Sequence, residues 1–279
     1  MQTLQTDDRI ALYLHEWPAP GAARGTVLVV HGLGEHIGRY HALAAELNAA
    51  GWHVAGYDHR GHGRSDGKRG RIPDAESMLR DLAAVIDHFR ERFPGPLILL
   101  GHSMGGLVVG RFVAEGVGEP RAAWSREIDA LVMSSPALDP GMSGFQKMLV
   151  ATLRAIAPDL GVGNGLKPEW ISRDPAVVAA YMTDPLVHDR ISPRLARFIV
   201  AGGEVARSRA NNWRVPTLLM WAGADRCVAP SGSAGFTAAA PPDLVTGRAF
   251  GGLYHEIFNE PERAEVIGTL LAWLDERIR

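Results

Sequence analysis

The sequence predicts an α/β domain in which a mostly parallel sheet is wound with helices on both faces. Three observations predict it. Short β-branched runs alternate with amphipathic helical patterns through the first half of the chain. The rhythm breaks between about Ala137 and Asn212, then resumes. Glycine is enriched, 32 of 279 residues against a usual ~7%, and much of the excess gathers just past the apolar runs, where tight turns are needed.

The elements follow in order. Arg9 to Trp17 alternates loosely and stops at Pro18-Ala-Pro-Gly21, the pattern of a strand entering a turn. Thr26-Val-Leu-Val-Val30 is continuously apolar, as in a strand covered on both faces. Tyr40, Leu43, Ala44 and Leu47 recur at helical spacing, and Gly51 ends that helix. Trp52 to Tyr57 returns as a strand. Between Asp74 and Arg92, Met78, Leu79, Leu82, Val85, Ile86 and Phe89 share one helix face, with Asp74 as the expected N-cap. Leu97 to Leu100 is a short buried strand, followed by a helix through about Glu115 and a strand at Ile128–Met133. Such strict succession calls for right-handed parallel crossovers.

From Ala137 to Asn212 no strand is evident. Met142, Phe145, Met148, Leu149 and Leu153 form one short apolar stripe, and Ser192 to Val200 carries another. Thr217–Trp221 and Leu244–Phe250 resume the strands, and Glu262–Ile278 closes as a helix. The expected organisation is one sheet domain, residues 1–136 and 213–279, interrupted by a helical insertion at 137–212.

Composition excludes several classes. A net charge of -2 gives no electrostatic reason for nucleic-acid binding. A single cysteine, Cys227, excludes an intramolecular disulfide and a cysteine-based zinc site, and reads as a small apolar residue rather than a nucleophile. The first residues lack a basic and apolar leader pattern, and no apolar run reaches the ~18 residues of a membrane span. A soluble, cytoplasmic protein is expected, with at most transient contact at a membrane or micelle surface.

Ligands of open parallel sheets bind at the carboxyl ends of the strands, where this chain's glycines and histidines crowd. Gly101-His-Ser103-Met-Gly105 follows a strand and opens a helix, the setting in which flanking glycines let a strained turn present a serine hydroxyl. A hydroxyl needs a base, and the base an orienting acid. Asp225 and His255 follow the next two strands, in the order serine, acid, histidine, on the same side of the sheet. Two backbone donors for an oxyanion are expected from Met104, just after the serine, and Leu33, in the loop after an early strand.

Two rival readings use the same loops. Gly32, Gly34 and Gly38 after a strand, with Asp58 further on, approximate a dinucleotide fingerprint one residue off its usual spacing. His31, His36, Asp58, His59, His62 and His102 could approach one another as metal ligands, yet Arg60 and Arg64 sit among them and no zinc-type run appears. The expected role of Asp58–Arg64 is a hydrogen-bonded turn that buttresses the site, without metal or cofactor. His188, the other late histidine, is placed in the insertion near the pocket or surface.

The stretches His31-Gly-Leu-Gly-Glu-His36, Asp58-His-Arg-Gly-His-Gly-Arg-Ser65, Gly101-His-Ser-Met-Gly-Gly106, Ala224-Asp225 and Tyr254-His255-Glu256 together resemble the monoacylglycerol lipase and lysophospholipase branch of the α/β-hydrolases. The resemblance implies the α/β-hydrolase fold, a mostly parallel sheet of about eight strands with a helical cap inserted after the sixth. It implies a serine esterase that releases a fatty acid from monoacylglycerol or a similar single-chain ester through an acyl-enzyme. Lysophospholipase or general carboxylesterase activity, or a non-catalytic ligand-binding member of the fold, are the alternatives. The cap would supply an apolar tunnel, with Met142, Phe145, Met148, Leu149 and Leu153 as candidate lining.

Overall fold

The computed structural model describes residues 2–116 and 121–278, apart from the side chains of Phe145, Lys147 and Leu149. Ten strands and eight α-helices are described: β1 (Gln2–Gln5), β2 (Ala11–Trp17), β3 (Thr26–Val30), α1 (His41–Ala49), β4 (His53–Tyr57), α2 (Ser77–Arg92), β5 (Leu97–His102), α3 (Met104–Gly116), β6 (Ala130–Ser134), α4 (Gly144–Ile156), β7 (Val162–Gly163), α5 (Pro175–Thr183), β8 (Arg190–Ile191), α6 (Pro193–Ser208), β9 (Thr217–Ala222), α7 (Pro230–Ala239), β10 (Val245–Phe250) and α8 (Arg263–Arg277). Eight strands form one sheet in the order β1-β2-β4-β3-β5-β6-β9-β10. Only β2 is reversed, antiparallel to both its neighbours β1 and β4; β4, β3, β5, β6, β9 and β10 are mutually parallel, which is the α/β-hydrolase arrangement.

The continuous apolar runs are central strands, as their composition requires. Side-chain alternation sorts each strand between two cores. Leu28 and Val30 face the layer built by α2 and α3, with Met78, Leu82 and Phe112. Val27 and Val29 face the layer of α1 and α8, with Leu47, Leu270 and Trp273. Gly51, at φ +86°, ends α1 as expected.

Several local expectations are corrected. Asp74 does not cap α2: the helix starts at Ser77 after Glu76, and Asp74 makes a turn before it, accepting the Glu76 N–H at 2.8 Å and pairing with Arg80. Strand β1 was not anticipated, because a four-residue polar edge strand carries too short an alternation to read. The insertion also holds a two-residue antiparallel ribbon, β7 with β8, which is too short to impose any period. Its last helix, α6, buries Leu195, Phe198 and Ala206 in the main core. Among the described residues no helix is long and apolar enough to cross a membrane.

Candidate active site

The carboxyl ends of β3, β4, β5, β9 and β10 bring five loops to one edge of the sheet, carrying respectively His31–His36, Asp58–Arg64, Ser103, Asp225 and His255. Ser103 sits between β5 and α3 at φ +54°, a left-handed conformation that strains a non-glycine residue by about 1 kcal/mol or more. Its backbone is locked there. Ser103 N–H donates to the Ser134 carbonyl at 3.0 Å, and its own carbonyl accepts from Leu107 and Ala137. The flanking glycines are required: a Cβ on Gly101 would lie 2.5 Å from the Gly105 carbonyl oxygen, and one on Gly105 would lie 2.0 Å from that of Val30.

His255 Nδ1–H donates to Asp225 Oδ2 at 2.7 Å, while Asp225 Oδ1 accepts the amides of Cys227 and Val228. Burial disfavours the imidazolium, but attraction and hydrogen bonding to Asp225 outweigh it, so the His255 pKa rises above the ordinary histidine value. Burial opposes the Asp225 carboxylate too, and the same pair reverses it, lowering its pKa. Both directions favour a charged imidazole. Ser103 and His255 line one small pocket with Gly32, Leu33 and Tyr181. Among the described residues no hydrogen bond joins the Ser103 hydroxyl to His255, a contact that in unliganded sites often closes only with substrate.

Leu33 and Met104 both face a second, larger cavity together with Ser103. Among the described residues neither of their amides donates to an acceptor within the protein. The Leu33 loop packs closely on the serine: a Cβ on Gly32 would come within 3.2 Å of Ser103 Cβ.

Sequence reasoning missed the supports of this loop. Glu35, almost fully buried, accepts from Gly32 N–H at 2.6 Å, Tyr40 hydroxyl at 2.7 Å and Arg39 at 2.9 Å. Arg39 then grips Glu256 with two bonds of 2.6 and 2.8 Å. The four-residue spacing of Glu35 and Arg39 was readable as a helical ion pair, but Glu256 lies over two hundred residues away and had no local signal.

The Asp58–Arg64 segment is the expected buttressing turn. Asp58 is buried and accepts from Ile37 N–H at 2.8 Å and Arg64 N–H at 2.7 Å, one on each carboxylate oxygen. It is therefore out of reach of a ribose, and Gly32 faces Glu35 and Ser103 rather than open space. The dinucleotide reading loses its acid and its cradle. His59 N–H donates to His31 Nε2 at 2.9 Å, and burial drives the His59 pKa down to about 3, keeping it neutral. Among the described residues the group with metal-like spacing is instead Asp225, Cys227 and His255, within 4.8 Å of one another, and its acid and imidazole are already bonded together. Cys227 is half-buried beside the pocket, and burial with the Asp225 charge pushes its thiol up, away from a reactive thiolate.

The second cavity has a volume of about 630 Å³, within the range of small-molecule sites. Met142 and Leu153 line it, as expected, with Ile199 and Val200 of α6. Met148 does not: its side chain is 59% exposed. The Phe145 and Leu149 side chains lie outside those described. His188 is tied to the site loops, its N–H donating to the Gly34 carbonyl at 2.9 Å and its ring 4.6 Å from that of His62. His36 pairs with Asp184, and Arg173 with the buried Glu260, so the insertion is fastened to the loops of both Leu33 and His255.

Comparison with known proteins points to one family and one fold. A hydrolase family model described as serine aminopeptidase, S33, matches residues 21–262. A monoacylglycerol lipase of Mycolicibacterium smegmatis is 36% identical over 92% of this chain and 90% of its own. Phospholipase YtpA of Bacillus subtilis is 33% identical over 90% and 95%. The crystal structure of Paleococcus ferrophilus monoacylglycerol lipase superposes with a TM-score of 0.84 at 38% identity, covering 95% of this chain and 99% of that one. Sequence and fold thus agree along nearly the whole length, and the chain belongs to this family of α/β-fold hydrolases.

Proposed function

We propose that the protein is a serine carboxylic-ester hydrolase that releases a fatty acid from monoacylglycerol. The carrying observation is that Ser103 stands where two unlike spaces meet. On one side lies a small pocket where Glu35, Tyr181, His255 and Glu256 stand among Leu166, Pro168 and Ile171; on the other is the large cavity walled mainly by apolar side chains. An ester with a compact polar alcohol and one long acyl chain matches that division.

In this reading His255 takes the proton from the Ser103 hydroxyl, which attacks the ester carbonyl. Asp225 holds the imidazole and stabilises its charged form. The Leu33 and Met104 amides receive the oxyanion, the latter with the help of the α3 dipole. The alcohol leaves with the proton from His255, and a water activated by the same imidazole releases the fatty acid. Residues 137–212 act as a cap that closes the acyl cavity. The exposed Met148, Ile156 and Leu160 on that cap favour brief contact with the lipid surface that holds the substrate.

A fluorophosphonate probe is expected to label the protein and to leave Ser103→Ala unlabelled; equal labelling of both would overturn the serine-hydrolase reading. In a hydrolysis panel, monoacylglycerols should exceed lysophosphatidylcholine, triacylglycerols and p-nitrophenyl esters in kcat/KM. A wide preference for the lysophospholipid would replace the substrate assignment.

A further inference from the structure

Gly32 is the pivot of the Leu33 loop. A glycine resists rotation of its flanking peptide groups less than any other residue, so an amide beside it points into a site only if something holds it there. Two side chains do. His31 Nδ1–H donates to the Gly32 carbonyl at 2.8 Å, with its tautomer set by the His59 amide bonded to Nε2. In a planar trans peptide the carbonyl and the next N–H point opposite ways, so this bond turns the Leu33 N–H outward from His31. On the other flank, the Gly32 N–H is bound at 2.6 Å by Glu35 Oε1. The remaining Glu35 oxygen takes Arg39, which holds Glu256, the neighbour of His255.

We propose that Glu35 is a positioning residue for the oxyanion donor: by binding the Gly32 N–H and Arg39, it prevents a peptide flip at Gly32 and keeps the Leu33 amide in register with His255. The inference rests on the ester-hydrolase reading above. It differs from a purely structural role in what it demands. Loss of Glu35 weakens the charged transition state more than ground-state binding, because this carboxylate lies outside the acyl cavity and borders only the smaller alcohol pocket.

The test compares Glu35→Ala, Glu35→Gln and Tyr40→Phe with wild type in steady-state hydrolysis and in inhibition by an alkyl trifluoromethyl ketone, which mimics the tetrahedral adduct. Glu35→Ala should lower kcat by about 10- to 100-fold with KM within about twofold, and weaken the ketone by a similar factor. Glu35→Gln keeps an oxygen for the Gly32 N–H and should restore most of the loss. Tyr40→Phe removes another bond to the same Glu35 oxygen but keeps the carboxylate, and should lower both readouts less than Glu35→Ala does. An unchanged kcat in folded Glu35→Ala, a fall in kcat without loss of ketone affinity, or a glutamine variant as poor as alanine each overturns the proposal.

Should the alanine variant not fold, amide exchange in wild type decides. The Gly32 N–H should be protected in the free enzyme, and the Leu33 N–H should gain protection only when the ketone binds. Protection of Leu33 in the free enzyme overturns the idea. Failure of wild type to react with fluorophosphonate or to hydrolyse any ester would sink the ester-hydrolase reading instead, and is read out separately.

Discussion

Asp225 has three acceptor duties: two loop amides and the His255 ring. Replacing it by asparagine keeps the size but removes the charge that raises the imidazole pKa. Asp225→Asn is expected to lower kcat by about 10³- to 10⁴-fold. The acid limb of its kcat/KM profile should also move to lower pH, since His255 then holds a proton less tightly. A limb that stays in place, measured with a soluble ester between pH 5 and 9, would show that Asp225 does not set the base. The placement of Ser103, Asp225 and His255 was legible in the sequence, because each follows a strand in a fixed order and needs only to be set at a strand end. Glu256 and Tyr181 were not. Their value comes from touching Arg39, by a double ion pair and by a ring 4.9 Å from its guanidinium, and neither contact has a sequence period.

At the scale of elements, the loops after the sheet strands carry Ser103, Asp225 and His255, and residues between β6 and β9 wall the cavity beside them. Leu153 of α4 forms part of the cavity wall, whereas Met148, five residues earlier and so about 140° round the helix, faces outward. An amphipathic stripe shows that a helix has an apolar side; it does not say which members meet the core, a ligand or solvent. Leu153→Trp is expected to reduce kcat/KM for a sixteen-carbon monoacylglycerol by about tenfold through overpacking of the cavity. Hydrolysis of p-nitrophenyl acetate, whose acyl group does not reach α4, should stay within about twofold. Equal loss on both substrates would place the acyl chain elsewhere. The ribbon β7–β8 and the turn at Asp74 were illegible for a related reason: two paired residues and an Asx turn are both shorter than one repeat of any pattern.

Over the whole molecule, buried neutral histidines make stability depend on acid. Burial holds His59 and His102 at about 3 and His188 at about 4. The unfolded chain protonates histidine near pH 6.5, so between about 6.5 and 3–4 it binds more protons than the folded one, and stability falls as pH falls. Each such group contributes a slope of up to about 1.4 kcal/mol per pH unit. His255 acts in the opposite sense: its folded pKa is raised, so its contribution is present below about pH 6.5 and disappears as pH climbs through the folded value. Burial lowers His31 and His62 in the same sense, so the lowered groups outweigh His255 and give a net acid loss. The Tm from circular dichroism should drop steadily from pH 6.5 to 4.5, and replacing His188 by glutamine should flatten the slope; a Tm independent of pH over that range would contradict the burial assigned to these rings.

The sequence by itself determined the fold class, the interrupted sheet and the five loops that meet at its carboxyl edge. These follow from period, turn chemistry and handedness, which act over neighbouring residues and survive without knowledge of distant partners. The tertiary structure alone decided how the site is held. It showed Gly32 clamped between His31 and Glu35, Arg39 bridging Glu35 to Glu256, and His188 fastened to Gly34. Those bonds join residues that chain connectivity leaves far apart or pointing anywhere, and buried polar groups find their partners only when the core closes around them and removes water as the alternative.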